Sequence, residues 1–226
     1  MQLTEAATGL EYMHRLNMVH GDLKGVRFFN LLTECANVHD EGQANILINQ
    51  SHRACLADFG LSTIASADHN TVANASSISV ASKASLMSFT AGGTFPWMSP
   101  ELLDPERFGA CDDRPTKKSD CYAFGMVVYE VRPNATVLAL RVLRLTIRQV
   151  LSGNSPYWDI NNEGLLMYAI MEGYRPKKPD AAESIGFANE LWKTVQKCWL
   201  TDASARPDVG AILPHLNPWS WGRRPV

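Results

Sequence analysis

The chain has 226 residues, a formal net charge of −2, 46% hydrophobic and 19% charged residues. That size and hydrophobic share suit one globular domain, two at most, with a real core, and the near-neutral charge excludes a polyanion binder, so no nucleic-acid partner is expected. No run approaches the roughly 18 apolar residues of a membrane span, the start MQLTEAATGLEYMH lacks the layout of a secretory signal, and the five cysteines (Cys35, Cys55, Cys111, Cys121, Cys198) form neither a CxxC pair nor a zinc spacing. No membrane partner is therefore expected, and the cysteine usage points to a reducing compartment, cytosol or nucleus.

In chain order, Leu3, Ala6, Ala7, Leu10, Met13 and Leu16 recur at three and four and predict an amphipathic helix. ANILIN (Ala44–Asn49) and ACLADF (Ala54–Phe59) are short apolar runs and predict two small strands in a hairpin. Ser62 to Thr90 is rich in Ser, Ala and Thr and reads as a long mobile loop. SDCYAFGMVVYE (Ser119–Glu130) is apolar nearly all round, the pattern of a buried helix. Further helices are expected over Glu163–Glu172 and Ala188–Leu200. Met87, Met98, Met126, Met167 and Met171 read as core or gap-filling residues. The tail NPWSWGRRPV (217–226) has no periodicity and is expected to fray or to dock through its tryptophans.

Five motifs then stand in order: HGDLKG…AN, ADFGLS, GGTFPWMSPELL, SDCYAFGMVVYE and CWLTDASARPD. Together they resemble the C-terminal lobe of a eukaryotic protein kinase, over most of the chain. Lys24, two places after Asp22, and Thr94, before FPWMSPE, resemble the serine/threonine kinases of the tyrosine-kinase-like branch. The fold implied is mostly α (α+β), a kinase-like C-terminal lobe with a small β-hairpin and no N-terminal lobe.

The resemblance implies transfer of the ATP γ-phosphoryl group to a Ser/Thr hydroxyl of a protein substrate, with Mg2+. Such chemistry needs positioning and charge neutralisation more than covalent participation. Asp22 matches the residue that accepts the hydroxyl proton, and Lys24 the one that steadies the migrating phosphoryl group. Asn45 and Asp58 match the magnesium-holding pair. Thr94 matches the residue that bonds the catalytic Asp and floors the substrate site. Glu101 and Arg206 match a buried ion pair tying the activation segment to the late helices. Asp120 matches the anchor of the catalytic-loop backbone amides, since a buried carboxylate needs such partners. His20 reads as a packed structural imidazole rather than a base.

Several features depart from the family. Gly21 stands where many kinases have an Arg that pairs with a phosphorylated activation loop, so loop phosphorylation is not expected to act through that contact. Ser99 replaces the common Ala before Pro-Glu. No Gly-rich loop and no VAIK-type Lys occur, and only 19 residues precede His20; the chain as written is expected to bind ATP poorly and to be weak or inactive.

Two stretches also interrupt the match. Without 26–43 the text reads HGDLKGANILI; without 131–149 it reads MVVYEVLSGNSPYW. Both stretches begin Val-Arg and end in Gln. Val codons start GT and one Gln codon ends AG, the boundaries of a spliceosomal intron, so both read as short retained introns. The alternative is a pair of true family inserts. The domain expectation is a kinase lobe over 1–216, interrupted twice, then the tail. Loop entropy tolerates the first insert at a cost on the order of 1 kcal/mol; geometry is the harder test, because a misplacement of roughly 1 Å between Asp22 and Asn45 can cost about 100-fold in rate. The second insert carries Arg132, Arg141, Arg144 and Arg148 and no acid, and resembles a basic amphipathic helix. The rival readings are a non-catalytic, pseudokinase-type binding module and a functionless product of a misassembled gene model.

Overall fold

In the computed structural model the described residues are 2–25, 27–28, 44–49, 51, 53–64, 94–110, 113–130, 156–178 and 189–216. Most of the expected loop, most of both inserts and the tail therefore lie outside the described residues, as do Met87, Cys35 and Cys111.

The amphipathic start forms α1 (Gln2–Arg15), which buries Leu3, Ala6, Ala7, Leu10 and Met13. Leu16 departs from the expected face: it is exposed, because the helix has already ended. Asn17 takes a left-handed conformation (φ 57°) just past the helix end, a role Asn tolerates better than most residues, and turns the chain into β1 (Met18–Val19).

The expected hairpin is present as β3 (Ile46–Ile48) and β4 (Ala54–Leu56), antiparallel, with Ile46 opposite Leu56 and Ile48 opposite Ala54. It is larger than expected. β2 (Arg27–Phe28), at the start of the first insert, adds to β3 in parallel, Arg27 opposite Leu47. The loop expected from Ser62 also needs correction at its start, since β5 (Thr63–Ile64) pairs antiparallel with β1.

Six α-helices lie among the described residues: α1, α2 (Pro100–Leu103), α3 (Lys117–Glu130), α4 (Glu163–Met171), α5 (Asn189–Cys198) and α6 (Val209–Leu216). α4 and α5 fall within the expected spans. α2 and α6 were not expected, being short and, in α6, carrying Pro214 in the last turn. The N-terminus of α4 is capped by Asn162, whose side chain accepts from the Leu165 amide.

α3 is the axis of the core, with Ser119 to Tyr129 buried without interruption. A helix that is apolar all round has no solvent face to give up, and each large side chain such as Phe124 or Met126 stabilises by roughly 1.5–3 kcal/mol when fully buried. Its central Gly125 lets the end of α5 come close: a Cβ there would lie 2.7 Å from Trp199 Nε1 and 2.8 Å from Cys198 Cβ. Met98 and Met126 are in the core, and Met167 packs against it. Among the described residues no helix is long and apolar enough to cross a membrane.

Candidate active site

The segment that carries the site runs from β1 through His20–Gly25, and α3 fixes it from below. Asp120, in the first turn of α3, is 1% exposed and takes three hydrogen bonds. Oδ2 accepts from the His20 amide at 2.8 Å and Oδ1 from the Gly21 amide at 2.9 Å. His14 Nε2, from α1, reaches Oδ2 at 2.8 Å. The carboxylate is thus anchored on both oxygens, and the two residues ahead of Asp22 are held by it.

Gly21 makes the turn possible. Its φ is +84°, and a Cβ would stand 2.9 Å from the Leu61 carbonyl oxygen. Any side chain, including the Arg common at this position, would be strained in that conformation and would press on backbone. The His20 ring closes the other side: Nε2 donates to the Ala57 carbonyl at 3.1 Å, while Nδ1 faces the Asp22 amide at 3.4 Å. Its two nitrogens face backbone groups, and the ring lies 5.5 Å from that of Phe59.

Asp22, Lys24, Asn45 and Thr94 form one buried cluster, each at most 7% exposed. Lys24 Nζ sits 2.9 Å from Asp22 Oδ2 and donates to Thr94 Oγ1 at 3.1 Å. Asn45 Nδ2 donates to the Asp22 carbonyl oxygen and, at 3.2 Å, to Asp22 Oδ2. The first insert separates Gly25 from Ala44 in sequence, yet the two halves of the loop meet. The Asn45 amide donates to the Lys24 carbonyl at 2.9 Å, and β2 continues that parallel register along β3. Asn45 therefore stands beside Asp22.

Asp22 Oδ1 is the exception to this satisfaction: it is buried and has no hydrogen-bond partner among the described residues. Asp22 also lines a small cleft with Thr94, Trp97, Met98 and Ser119. A buried carboxylate oxygen left unpaired is costly, and such atoms in native folds call for an explanation such as a missing polar partner.

Asp58 makes no side-chain hydrogen bond to this cluster among the described residues. It is exposed, and left-handed (φ 60°, ψ 69°). It is tied in through its neighbour: the Ala57 amide donates to the Asn45 carbonyl at 2.8 Å, and the Ala57 carbonyl accepts from His20. Asn45 and Asp58 offer hard oxygen donors of the kind Mg2+ prefers, one amide carbonyl and one carboxylate, so their chemistry fits a magnesium-phosphate group. No group of three or more His, Cys, Asp and Glu suited to a metal occurs among the described residues.

Glu101 and Arg206 meet far from this cluster as a bidentate pair, 2.7 Å on each arm, with Arg206 2% exposed. The remaining guanidinium protons go to the carbonyls of Leu200 (2.8 Å), Lys118 (3.1 Å) and Thr201 (3.3 Å), and the group lies over the Tyr122 ring. Burial pushes the Tyr122 phenol up, so it stays neutral beneath the cation. The sequence reading missed His14. Its signal was a polar residue four places after Leu10 on the buried face of α1.

The family model described as protein tyrosine and serine/threonine kinase matches residues 1–216, and the chain belongs to that family. The fold described above is kinase-like. The chain is 28% identical to ephrin type-B receptor 4 of Homo sapiens over 206 residues, 89% of this chain. It is 25% identical to a probable serine/threonine-protein kinase of Dictyostelium discoideum over 213 residues (94% of this chain) and 27% identical to a dual specificity protein kinase of the same organism over 215 residues (94%). The chain spans 16%, 16% and 11% of the length of these three proteins.

Proposed function

We propose that the chain is the C-terminal lobe of a protein kinase that transfers the γ-phosphoryl group of ATP to Ser or Thr hydroxyls of a protein substrate. The observation that carries this reading is Asp22: buried, paired with Lys24, bonded to Asn45, lining a small cleft, and keeping one carboxylate oxygen unpartnered among the described residues. A substrate hydroxyl is the partner that oxygen lacks. Asp22 Oδ1 accepts the hydroxyl hydrogen, aligns the nucleophile and takes its proton as the new P–O bond forms and the bond from the γ-phosphorus to the bridging oxygen breaks, releasing ADP. Lys24 Nζ, held between Asp22 and Thr94, supplies positive charge beside the transferring group. Thr94 fixes that ammonium and walls the cleft. Asn45 and Asp58 are the residues that would hold magnesium. Bound Mg2+ offsets the negative charge of the phosphates.

Asp120, Glu101 and Arg206 are structural in this reading: the first orients the loop that carries Asp22, and the pair ties α2 to the segment between α5 and α6. The kinase portion is 1–216. The segments 26–43 and 131–149 are retained introns, and 217–226 is a tail. Ser/Thr preference rests on Lys24 and its contact with Thr94, and the setting is the cytosol or nucleus.

The test is phosphoryl transfer by the full-length gene product to a mixed library of Ser-, Thr- and Tyr-containing peptides. Transfer to Ser and Thr is expected, falling by about 10²–10⁴-fold in Asp22→Asn. Full activity in that variant would overturn the base role, and phosphotyrosine as the main product would overturn the preference.

A further inference from the structure

α1 packs against α3, β4 and α6. Thr8, Tyr12 and Leu16 form an exposed stripe along it at four-residue spacing, with Thr4 at its foot. Tyr12 is 65% and Leu16 53% exposed. Leu16 stands one turn above Tyr12, since its amide still donates to the Tyr12 and Met13 carbonyls. The Thr8 hydroxyl donates to the Thr4 carbonyl at 2.7 Å, so its polar atom already has a partner. Large apolar side chains set next to one another on a surface mark an interaction site more than single ones do.

α6 runs antiparallel to α1 and brings the chain to this stripe. A Cβ on Gly210 would stand 3.1 Å from Glu11 Oε1, whereas the Leu216 carbonyl accepts from Thr4 Oγ1 at 3.1 Å. Leu216 therefore ends at the foot of the stripe. The residues that follow, NPWSWGRRPV, carry Trp219 and Trp221. Pro218 does not continue a helix, and it biases Asn217 toward extended backbone. In an extended chain two residues separated by one fall on the same side, about 6.6 Å apart. Helix residues four apart rise about 6 Å. The reach also matches: three residues past Leu216 span up to about 10 Å and five about 17 Å. Tyr12 and Leu16 stand about 12 and 18 Å along the axis from Thr4.

We propose that the stripe on α1 is the docking surface for the chain's own segment 217–226. The segment folds back from Leu216, with Trp219 set between Thr8 and Tyr12 and Trp221 between Tyr12 and Leu16. The tail thereby clasps α6 to α1. This docking holds whether or not the chain transfers phosphate.

The test is hydroxyl-radical footprinting of the full chain, read residue by residue by mass spectrometry. It compares wild type with Trp219→Ser/Trp221→Ser and with Tyr12→Ser/Leu16→Ser; Tyr12 and Leu16 lie outside the core. Labelling of Tyr12 and Leu16 should rise about threefold in the tail variant, as for a segment docked about two-thirds of the time. Labelling of Trp219 and Trp221 should rise to a similar extent in the α1 variant, while Trp158 and Tyr168 stay as in wild type. Unchanged labelling of Tyr12 and Leu16 in the tail variant would overturn the proposal, and so would a rise at Trp158 and Tyr168 in their place. Protection of Tyr12 and Leu16 that fades on dilution would assign the stripe to a second copy of the chain and overturn docking within one chain.

Discussion

Two of the buried ion pairs among the described residues, Glu101–Arg206 and Asp22–Lys24, are finished to different degrees. At Glu101–Arg206 all five guanidinium protons have acceptors: two carboxylate oxygens and three backbone carbonyls. At Asp22–Lys24 the ammonium is shared with Thr94, but Asp22 Oδ1 has no partner. A fully satisfied buried network rigidifies its surroundings, whereas an incomplete one carries a desolvation cost that a further polar group would relieve. The first pair is a fastening between α2 and the chain around α5 and α6. The second leaves one carboxylate oxygen unpaired among the described residues, the place that the proposed function gives to a substrate hydroxyl.

The comparison breaks most clearly at Arg206. Replacing it by Ala removes the counter-charge of a buried carboxylate and five hydrogen bonds, and should lower stability by about 3–5 kcal/mol. At roughly 2–4 °C per kcal/mol for a chain of this size, the thermal midpoint should fall by about 10 °C in a calorimetric scan. Replacing whole pairs sharpens the contrast. Glu101→Leu with Arg206→Met should still destabilise by about 2 kcal/mol or more, because the carbonyls of Leu200, Lys118 and Thr201 lose their donor. Asp22→Leu with Lys24→Met should change stability by less than about 1 kcal/mol in either direction while abolishing activity, since exchanging both members of a buried pair for apolar side chains of similar size is often close to neutral. Similar losses from the two double variants, in chemical denaturation, would erase the distinction. The smallest effect is expected at Ser99, 0% exposed with its hydroxyl unpartnered. Ser99→Ala should raise stability by about 1 kcal/mol, the desolvation cost of an unpaired hydroxyl; a fall in midpoint would mean the hydroxyl has an unseen partner.

Much of the candidate site was legible because its chemistry demands particular residue types at fixed spacings. Asp22 and Lys24 are two residues apart, so one short loop carries both; Asp120 was readable as a carboxylate in a buried helix, and Arg206 only through its place in the motif CWLTDASARPD, which resembles the family's. His14 was not singled out, because a histidine on an apolar face looks like core until the residue opposite is known. Asp58 was readable as a type but not in its exposure. β2 and β5 were missed for a related reason: two-residue strands have no periodicity of their own, and exist because β3 and β1 offer them an edge.

The sequence by itself determined the helices with apolar stripes, the hairpin, and which residues carry charge at the motif positions, since hydrophobic period and residue chemistry are local properties. Only the tertiary structure decided that Asn45 comes back to bond Asp22, that Gly21 takes a left-handed turn in which a side chain would be strained, and that one oxygen of Asp22 has no partner among the described residues. Those are facts about which groups from distant parts of the chain share a volume, and no local pattern encodes them.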